Sequence, residues 1–84
     1  MKIIYSRNTG EEIQVDDEDY YNLYHFSWTV VRREYGSVIN VHRKVDGRTI
    51  TIQHQILGLP SNQAIDHIDS NALHNCKSNL RTCT

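Results

Sequence analysis

The chain has 84 residues, of which 38% are hydrophobic and 23% are charged, with a formal net charge of −1 at pH 7. This length is enough for one small domain, so we predict a single domain over residues 1–84. No apolar run is long enough to span a bilayer and the start of the chain does not match a signal peptide, which predicts a cytoplasmic protein with no membrane partner. Cys76 and Cys83 are then expected to be reduced thiols, with a zinc site shared with His67 or His74 as the less favoured alternative.

Charge is distributed unevenly along the sequence. Acidic side chains concentrate in residues 1–31, whereas residues 32–48 are basic. A basic segment predicts contacts with nucleic-acid phosphates, although five cations on a pair of strands more often form an ordinary solvated surface. The residues that would make the phosphate contacts are Arg32, Arg33, Arg43, Lys44 and Arg48.

The first third of the chain predicts two strands followed by a helix. The strands are expected over residues 2–6, a short β-prone run, and over residues 11–15, where apolar and polar residues alternate. Asp16 stands where a helix N-cap is expected, and Tyr20 and Leu23 lie on one apolar stripe of the helix that follows. Acidic side chains crowd the first turn of this helix, where the helix dipole favours negative charge. We therefore attribute the acidic cluster to helix initiation rather than to metal binding.

The middle of the chain predicts short strands joined by tight turns. Turns are expected at 34–36 and at 45–47, and a short helix over 53–57. The strands are predicted at 26–33, 37–44 and 48–52. The fold class is therefore α+β, a small single domain of short antiparallel strands with one or two short helices. We divide it into an N-terminal β-rich unit, residues 1–60, and a C-terminal hairpin, residues 61–84.

The C-terminal hairpin carries the residue types that phosphodiester hydrolysis needs. A short apolar strand ends in Asp66 and His67, a loop rich in Asp, Ser and Asn follows, and a second strand begins at Asn79. A histidine can take a proton from water near neutral pH, and a carboxylate suits a hard divalent ion such as Mg²⁺ or Mn²⁺. An asparagine in the facing strand can pin the loop and orient the imidazole through its amide. Taken singly, each of these residues also fits an ordinary turn or a satisfied histidine.

The order of these residues resembles that of a known family. Asp-His-x-Asp-x-Asn begins at Asp66, and it is followed by Asn75, the tripeptide Cys-Lys-Ser, and then Asn-Leu-Arg from Asn79. This pattern resembles the HNH endonucleases of the ββα-metal superfamily, in the branch that includes phage homing endonucleases. The resemblance runs from about residue 15 to the end of the chain, and it departs from the family at Ser70, where the loop usually has glycine.

The resemblance implies roles for three residues. Asp66 would be a ligand of a weakly held Mg²⁺ or Mn²⁺, His67 the general base, and Asn79 the central asparagine that steadies the hairpin. In the family a helix follows the second strand and supplies another metal ligand, roughly one helical turn past Thr84; Asp69 or a partner subunit would have to replace it here. We therefore expect an HNH-type metal-dependent DNA endonuclease, phage-encoded and acting in a bacterial host cell, that is shortened and by itself cuts DNA poorly or not at all.

A non-enzymatic function stays open, because function depends on the site rather than on the fold. A shortened HNH fold of phage type would then be a binding module or inhibitor, acting on a nucleic acid, a nucleotide or a host defence protein. Ile65, Leu80 and Cys83 are expected to be exposed on the hairpin, where they would contact a second subunit or a host protein.

Overall fold

The computed structural model describes residues 1–34 and 36–83. These residues form an α+β fold of short strands and short helices, which confirms the predicted fold class. The two helices are α1 (Asp17–Leu23) and α2 (Ile52–Leu57), and a 3₁₀ turn covers Lys77–Asn79. The strands are β1 (Lys2–Tyr5), β2 (Glu12–Val15), β3 (Thr29–Arg32), β4 (Val38–Val45), β5 (Arg48–Thr51), β6 (Ala64–His67), β7 (His74–Asn75) and β8 (Leu80–Cys83).

The strands pair in three small sheets, in the orders β1-β2-β7, β3-β4-β5 and β6-β8. Every pair is antiparallel except β2 with β7, which run parallel, with Gln14 opposite His74 and Val15 opposite Asn75. The β2–β7 pair hydrogen-bonds the loop of the C-terminal hairpin to the N-terminal sheet. The predicted division at residue 60 stays a prediction, and this pair crosses it.

One hydrophobic core lies between the first two sheets and the helices. Trp28 is its largest fully buried side chain, and its Nε1 donates a hydrogen bond to the Leu23 carbonyl oxygen at 2.8 Å. The ring is therefore buried without leaving its polar atom unpaired. Leu73 packs against the same core, which anchors the chain just before β7. The core residues are Ile4, Ile13, Val15, Leu23, Trp28, Val30, Val41 and Ile52.

Local sequence signals determine where the helices and turns lie. Asp16 occupies the N-cap position of α1, but its side chain makes no capping hydrogen bond; its Oδ2 instead accepts a hydrogen bond from the Lys77 backbone N–H at 2.9 Å. Gly58 ends α2 in the left-handed conformation with φ of 67°. Asp46 and Gly47 both have positive φ, 50° and 80°, in the turn between β4 and β5. An Asp-Gly pair is the usual sequence for such a hairpin turn.

The hairpin and the cysteines differ in part from what the sequence predicts. Leu80, expected to be exposed, is only 8% exposed, while Ile65 and Cys83 are half-buried, so the hairpin offers less apolar surface than predicted. Cys76 and Cys83 are free thiols. The turn predicted at 34–36 includes Tyr35, which lies outside the described residues. None of the helices in the described part of the chain is long and apolar enough to cross a membrane.

Candidate functional site

The β6–β8 hairpin gathers the three residues singled out in the sequence at one end. Asp66 and His67 are the last two residues of β6, opposite Arg81 and Leu80 of β8. Asn79 directly precedes β8, and its carbonyl oxygen accepts a hydrogen bond from the Ile68 N–H at 2.8 Å. Because successive strand residues point to opposite faces, the side chains of Asp66 and His67 leave the strand in different directions.

The imidazole of His67 is oriented by Asn75. Nε2 of His67 lies 2.8 Å from Oδ1 of Asn75, and Nδ2 of Asn75 donates a hydrogen bond to the Ala72 carbonyl oxygen at 2.9 Å. The second bond fixes which way the amide points, so the atom facing the ring is an oxygen, which can only accept. In the neutral imidazole, Nε2 of His67 must therefore carry the hydrogen, and Nδ1 keeps its lone pair. Asn75 is 0% exposed, so a fully buried side chain of β7 sets this arrangement.

Asn79 pins the loop rather than the imidazole. Its Nδ2 donates hydrogen bonds to Oδ1 of Asp69 at 2.8 Å and to the His74 carbonyl oxygen at 2.9 Å. Its Oδ1 accepts a hydrogen bond from the Asp69 N–H at 3.1 Å. The described residues show no hydrogen bond between Asn79 and His67, so the expectation that Asn79 orients the imidazole is wrong. A side chain that is 6% exposed and satisfied on both amide atoms instead holds the two ends of the loop together.

Asp69 is an anchor within the same loop. Its Oδ1 accepts hydrogen bonds from the Asn71 N–H and from Asn79, and its Oδ2 lies 2.8 Å from Nδ1 of His74. The hydrogen bond from His74, followed by those from Asn71 and Asn79, lowers the pKa of Asp69 to about 2. Both carboxylate oxygens are thus engaged within the loop, which argues against Asp69 as the replacement metal ligand considered from the sequence.

The lowered pKa of Asp69 predicts how acid affects stability. A carboxyl group whose pKa is lower in the folded than in the unfolded protein stabilises the fold above its ordinary pKa. This stabilisation is lost as the pH falls from about 4 through about 2. Over that range, the unfolding free energy of the wild type should therefore decrease more steeply than that of Asp69→Asn. Denaturant titrations at a series of pH values measure both slopes, and equal slopes would contradict the role given to Asp69.

Ser70 adopts a backbone conformation that favours glycine. Its φ is 62°, in the left-handed region, and it follows Asp69 at the tip of the loop. Ser70→Gly should therefore raise the unfolding free energy by up to about 1 kcal/mol, the relief of strain exceeding the added entropy of the unfolded chain. Ser61→Gly, in an exposed loop without positive φ, should lower stability slightly and serves as the control. Thermal melts that show Ser70→Gly to be less stable than the wild type would contradict this reading.

Asp66 forms a cross-strand ion pair. Its Oδ2 lies 2.8 Å from Nη2 and 3.2 Å from Nε of Arg81, and the two side chains are 48% and 61% exposed. Such exposed pairs contribute little to stability. Oδ1 of Asp66 has no hydrogen-bond partner among the described residues, so one hard oxygen is available to a divalent cation at the end of β6.

A different group of carboxylates has the spacing of a metal site. Asp16, Glu18 and Asp19 each offer an oxygen, and these atoms lie within 4.8 Å of one another, so the group could hold a metal ion. It is the one such group of three in residues 1–34 and 36–83, and it is not the site predicted at Asp66. The Lys77 ammonium lies 2.7 Å from Glu18 Oε1 and 3.1 Å from Asp19 Oδ1. These contacts raise the pKa of Lys77, and a metal ion would have to compete with its charge.

The five predicted phosphate-binding residues do not share one surface. Arg32 forms a two-pronged ion pair with Glu11, with 2.9 Å between its Nε and Oε1, so its charge is neutralised. Lys44 follows Arg43 directly in β4, and the alternation of the strand places its side chain on the other face of the β4–β5 hairpin. Arg33 is exposed just after β3.

Arg43 and Arg48 line a groove of about 740 Å³ beside α2. Nε of Arg43 donates a hydrogen bond to Oε1 of Gln55 at 2.6 Å, and its guanidinium carbon lies 3.9 Å from the centre of the Phe26 ring. The groove is lined by Arg43, Arg48, Thr49, Ile50, Thr51, His54, Gln55, Gly58, Leu59 and Ser61.

Asn75 is the site residue that reasoning from the sequence missed. The one available signal was its spacing from Asn79 in Asn-x-x-x-Asn-Leu-Arg, which does not reveal which amide reaches the imidazole. Comparison with known proteins leaves the family open, since no family model matches the chain and no curated protein or solved structure is significantly similar to it.

Proposed function

We propose that the protein is a metal-dependent nuclease of HNH type that hydrolyses DNA phosphodiester bonds, with His67 as the general base. The observation that carries the proposal is the hydrogen bond between His67 Nε2 and the buried Asn75 Oδ1. It leaves the Nδ1 lone pair free at the end of a strand, in a half-buried ring that Asn75 holds in place. The order of residues from Asp66 to Arg81 gives independent support.

The hydrogen bond from His67 to Asn75 suits proton transfer. In the proposed reaction, Nδ1 of His67 accepts a proton from a water molecule as the water oxygen bonds to phosphorus. The bond from phosphorus to one sugar oxygen breaks, and that oxygen leaves with a proton taken from bulk water. The ring then carries a positive charge, and its Nε2–H still points at the amide oxygen of Asn75, whose partial negative charge stabilises the cation. The ring need not rotate during the transfer, because the same hydrogen bond is present before and after it.

Asp66 is the residue that would hold a divalent ion in this proposal. Its free Oδ1 is a hard oxygen of the kind that Mg²⁺ and Mn²⁺ prefer, and magnesium sites commonly combine one or two carboxylates with water and substrate phosphate. When bound, the ion would supply positive charge to the phosphate as negative charge develops on it. The Arg81 guanidinium on Oδ2 competes with the ion for Asp66, so we expect weak binding and slow cleavage.

The second candidate function is a DNA-binding module without nuclease activity. The Asp66–Arg81 ion pair favours it, because the carboxylate proposed as metal ligand already has a cationic partner. The uncompensated arginines of the groove beside α2 are compatible with both functions, since a nuclease and a binding module each need to hold the DNA backbone.

A plasmid-nicking assay separates the two candidates. Supercoiled plasmid is incubated with excess protein in Mg²⁺ or Mn²⁺, and in parallel with a chelator. A nuclease converts the plasmid to the open-circular form only when metal is present. Retarded migration of an intact plasmid in both conditions would instead support the binding module, and would count against the nuclease.

A further inference from the structure

We propose that the groove lined by Arg43 and Arg48 binds the phosphate backbone of DNA, at a site distinct from the β6–β8 hairpin. The choice of DNA as the ligand rests on the proposed function, whereas the choice of an anionic ligand rests on the groove itself. None of its lining residues is acidic, and neither arginine forms an ion pair in the described part of the chain. The groove therefore has an uncompensated positive charge that is complementary to a polyanion.

Arg43 is held ready to bind a phosphate group. Its half-buried guanidinium stacks on Phe26 at 3.9 Å, and its Nε is engaged by Gln55 at 2.6 Å. These contacts restrict the side chain before any ligand arrives, which reduces the entropy lost on binding. Its two terminal Nη groups have no hydrogen-bond partner among the described residues. A guanidinium with two free, parallel donors matches the oxygens of a phosphate group.

Arg48 provides the second positive charge on the same face of the hairpin. Residue 48 pairs with Val45 across the β4–β5 ladder, so Arg43 is its diagonal neighbour. Diagonal neighbours lie about 7–8 Å apart, which lets the two long side chains reach neighbouring phosphate groups of one strand. Lys44, one residue from Arg43, points to the opposite face and cannot contribute.

The opposite orientations of Arg48 and Lys44 supply a matched pair of variants. Arg48→Gln and Lys44→Gln remove the same charge from exposed positions of one hairpin, but only the first removes it from the groove. Binding of each protein to a short fluorescently labelled DNA duplex is measured by anisotropy across a range of salt concentrations, with chelator present so that no cleavage occurs. Thermal melts verify that both variants fold.

We expect Arg48→Gln to weaken DNA binding and to reduce the slope of log affinity against log salt by about 1, the effect of losing one phosphate contact. Lys44→Gln should leave the slope of the wild type unchanged. If the two variants have the same DNA affinity and the same salt slope, or if the wild type does not bind DNA, the assignment is overturned. Binding of a labelled poly-glutamate peptide as tight as that of DNA, and equally dependent on Arg48, would overturn DNA as the ligand.

Failure of this inference is distinguishable from failure of the proposed nuclease function. If Arg48→Gln loses DNA binding and the wild type shows no metal-dependent nicking, the groove stands as a DNA-binding site and the nuclease function is rejected. If the wild type nicks DNA in a metal-dependent way and Arg48→Gln binds DNA as the wild type does, the nuclease function stands and the groove is rejected as the DNA-binding site.

Discussion

His67→Ala should abolish metal-dependent nicking, with a loss of about 100- to 10,000-fold in single-turnover rate, the usual contribution of a positioned general base. The imidazole is half-buried, and within residues 1–34 and 36–83 it makes one hydrogen bond, to Asn75. Its removal leaves the buried Asn75 oxygen without a partner, which should lower the unfolding free energy by about 1–3 kcal/mol. It breaks none of the hydrogen bonds by which Asn79 and Asp69 close the loop. The fold should therefore survive while the reaction does not, and a thermal melt alongside the rate measurement separates the two effects.

His25→Ala is the matched control for this substitution. His25 is exposed just after α1, and its ring is tilted by 36° against that of Tyr24, with ring centres 4.0 Å apart. Its removal should leave the nicking rate unchanged. Nicking that persists at the wild-type rate in His67→Ala would mean that another group activates the water, and would reject His67 as the base.

Asn79→Ala should lower the unfolding free energy by about 1–3 kcal/mol, because it leaves buried polar groups without partners. The substitution removes three hydrogen bonds, two to Asp69 and one to the His74 carbonyl oxygen. For a domain of this size the melting temperature should fall by about 4–8 °C for each kcal/mol. Calorimetry or a thermal melt followed by circular dichroism measures the change.

Ser78→Ala, in the same 3₁₀ turn but exposed, should change the melting temperature little and controls for local perturbation. If Asn79 instead held a metal ion or the substrate, Asn79→Ala would melt like the wild type and lose nicking or metal binding alone. That result would contradict the structural role given to this residue.

Much of the fold follows from local sequence signals. The alternation of residues in β2, the Asp46-Gly47 turn and the glycine that ends α2 each depend on residues close in sequence. The parallel pairing of β2 with β7 does not follow from local signals, because it joins two short strands about sixty positions apart in the sequence. The sequence of His74 and Asn75 is too short to indicate a strand.

The candidate site was predictable in its residue types but not in its hydrogen bonds. The sequence placed Asp66, His67 and Asn79 in one hairpin, yet it could not show that Asn75 rather than Asn79 reaches the imidazole. That assignment depends on which amide the β2–β7 pairing buries next to the ring. The neutralisation of Arg32 in the basic segment could not be predicted either, because its partner Glu11 lies 21 positions away in the sequence.

The position of the hydrogen on the His67 ring is the decisive test of the role proposed for this residue. A long-range ¹H–¹⁵N correlation spectrum, recorded at a pH at which the ring is neutral, distinguishes a ring nitrogen that carries hydrogen from one with a free lone pair, and His67→Ala identifies the signals. We expect hydrogen on Nε2 and a free lone pair on Nδ1, since the Asn75 oxygen facing Nε2 can only accept. Hydrogen on Nδ1 with a bare Nε2 would contradict it, because the nitrogen proposed to take the proton would already hold one.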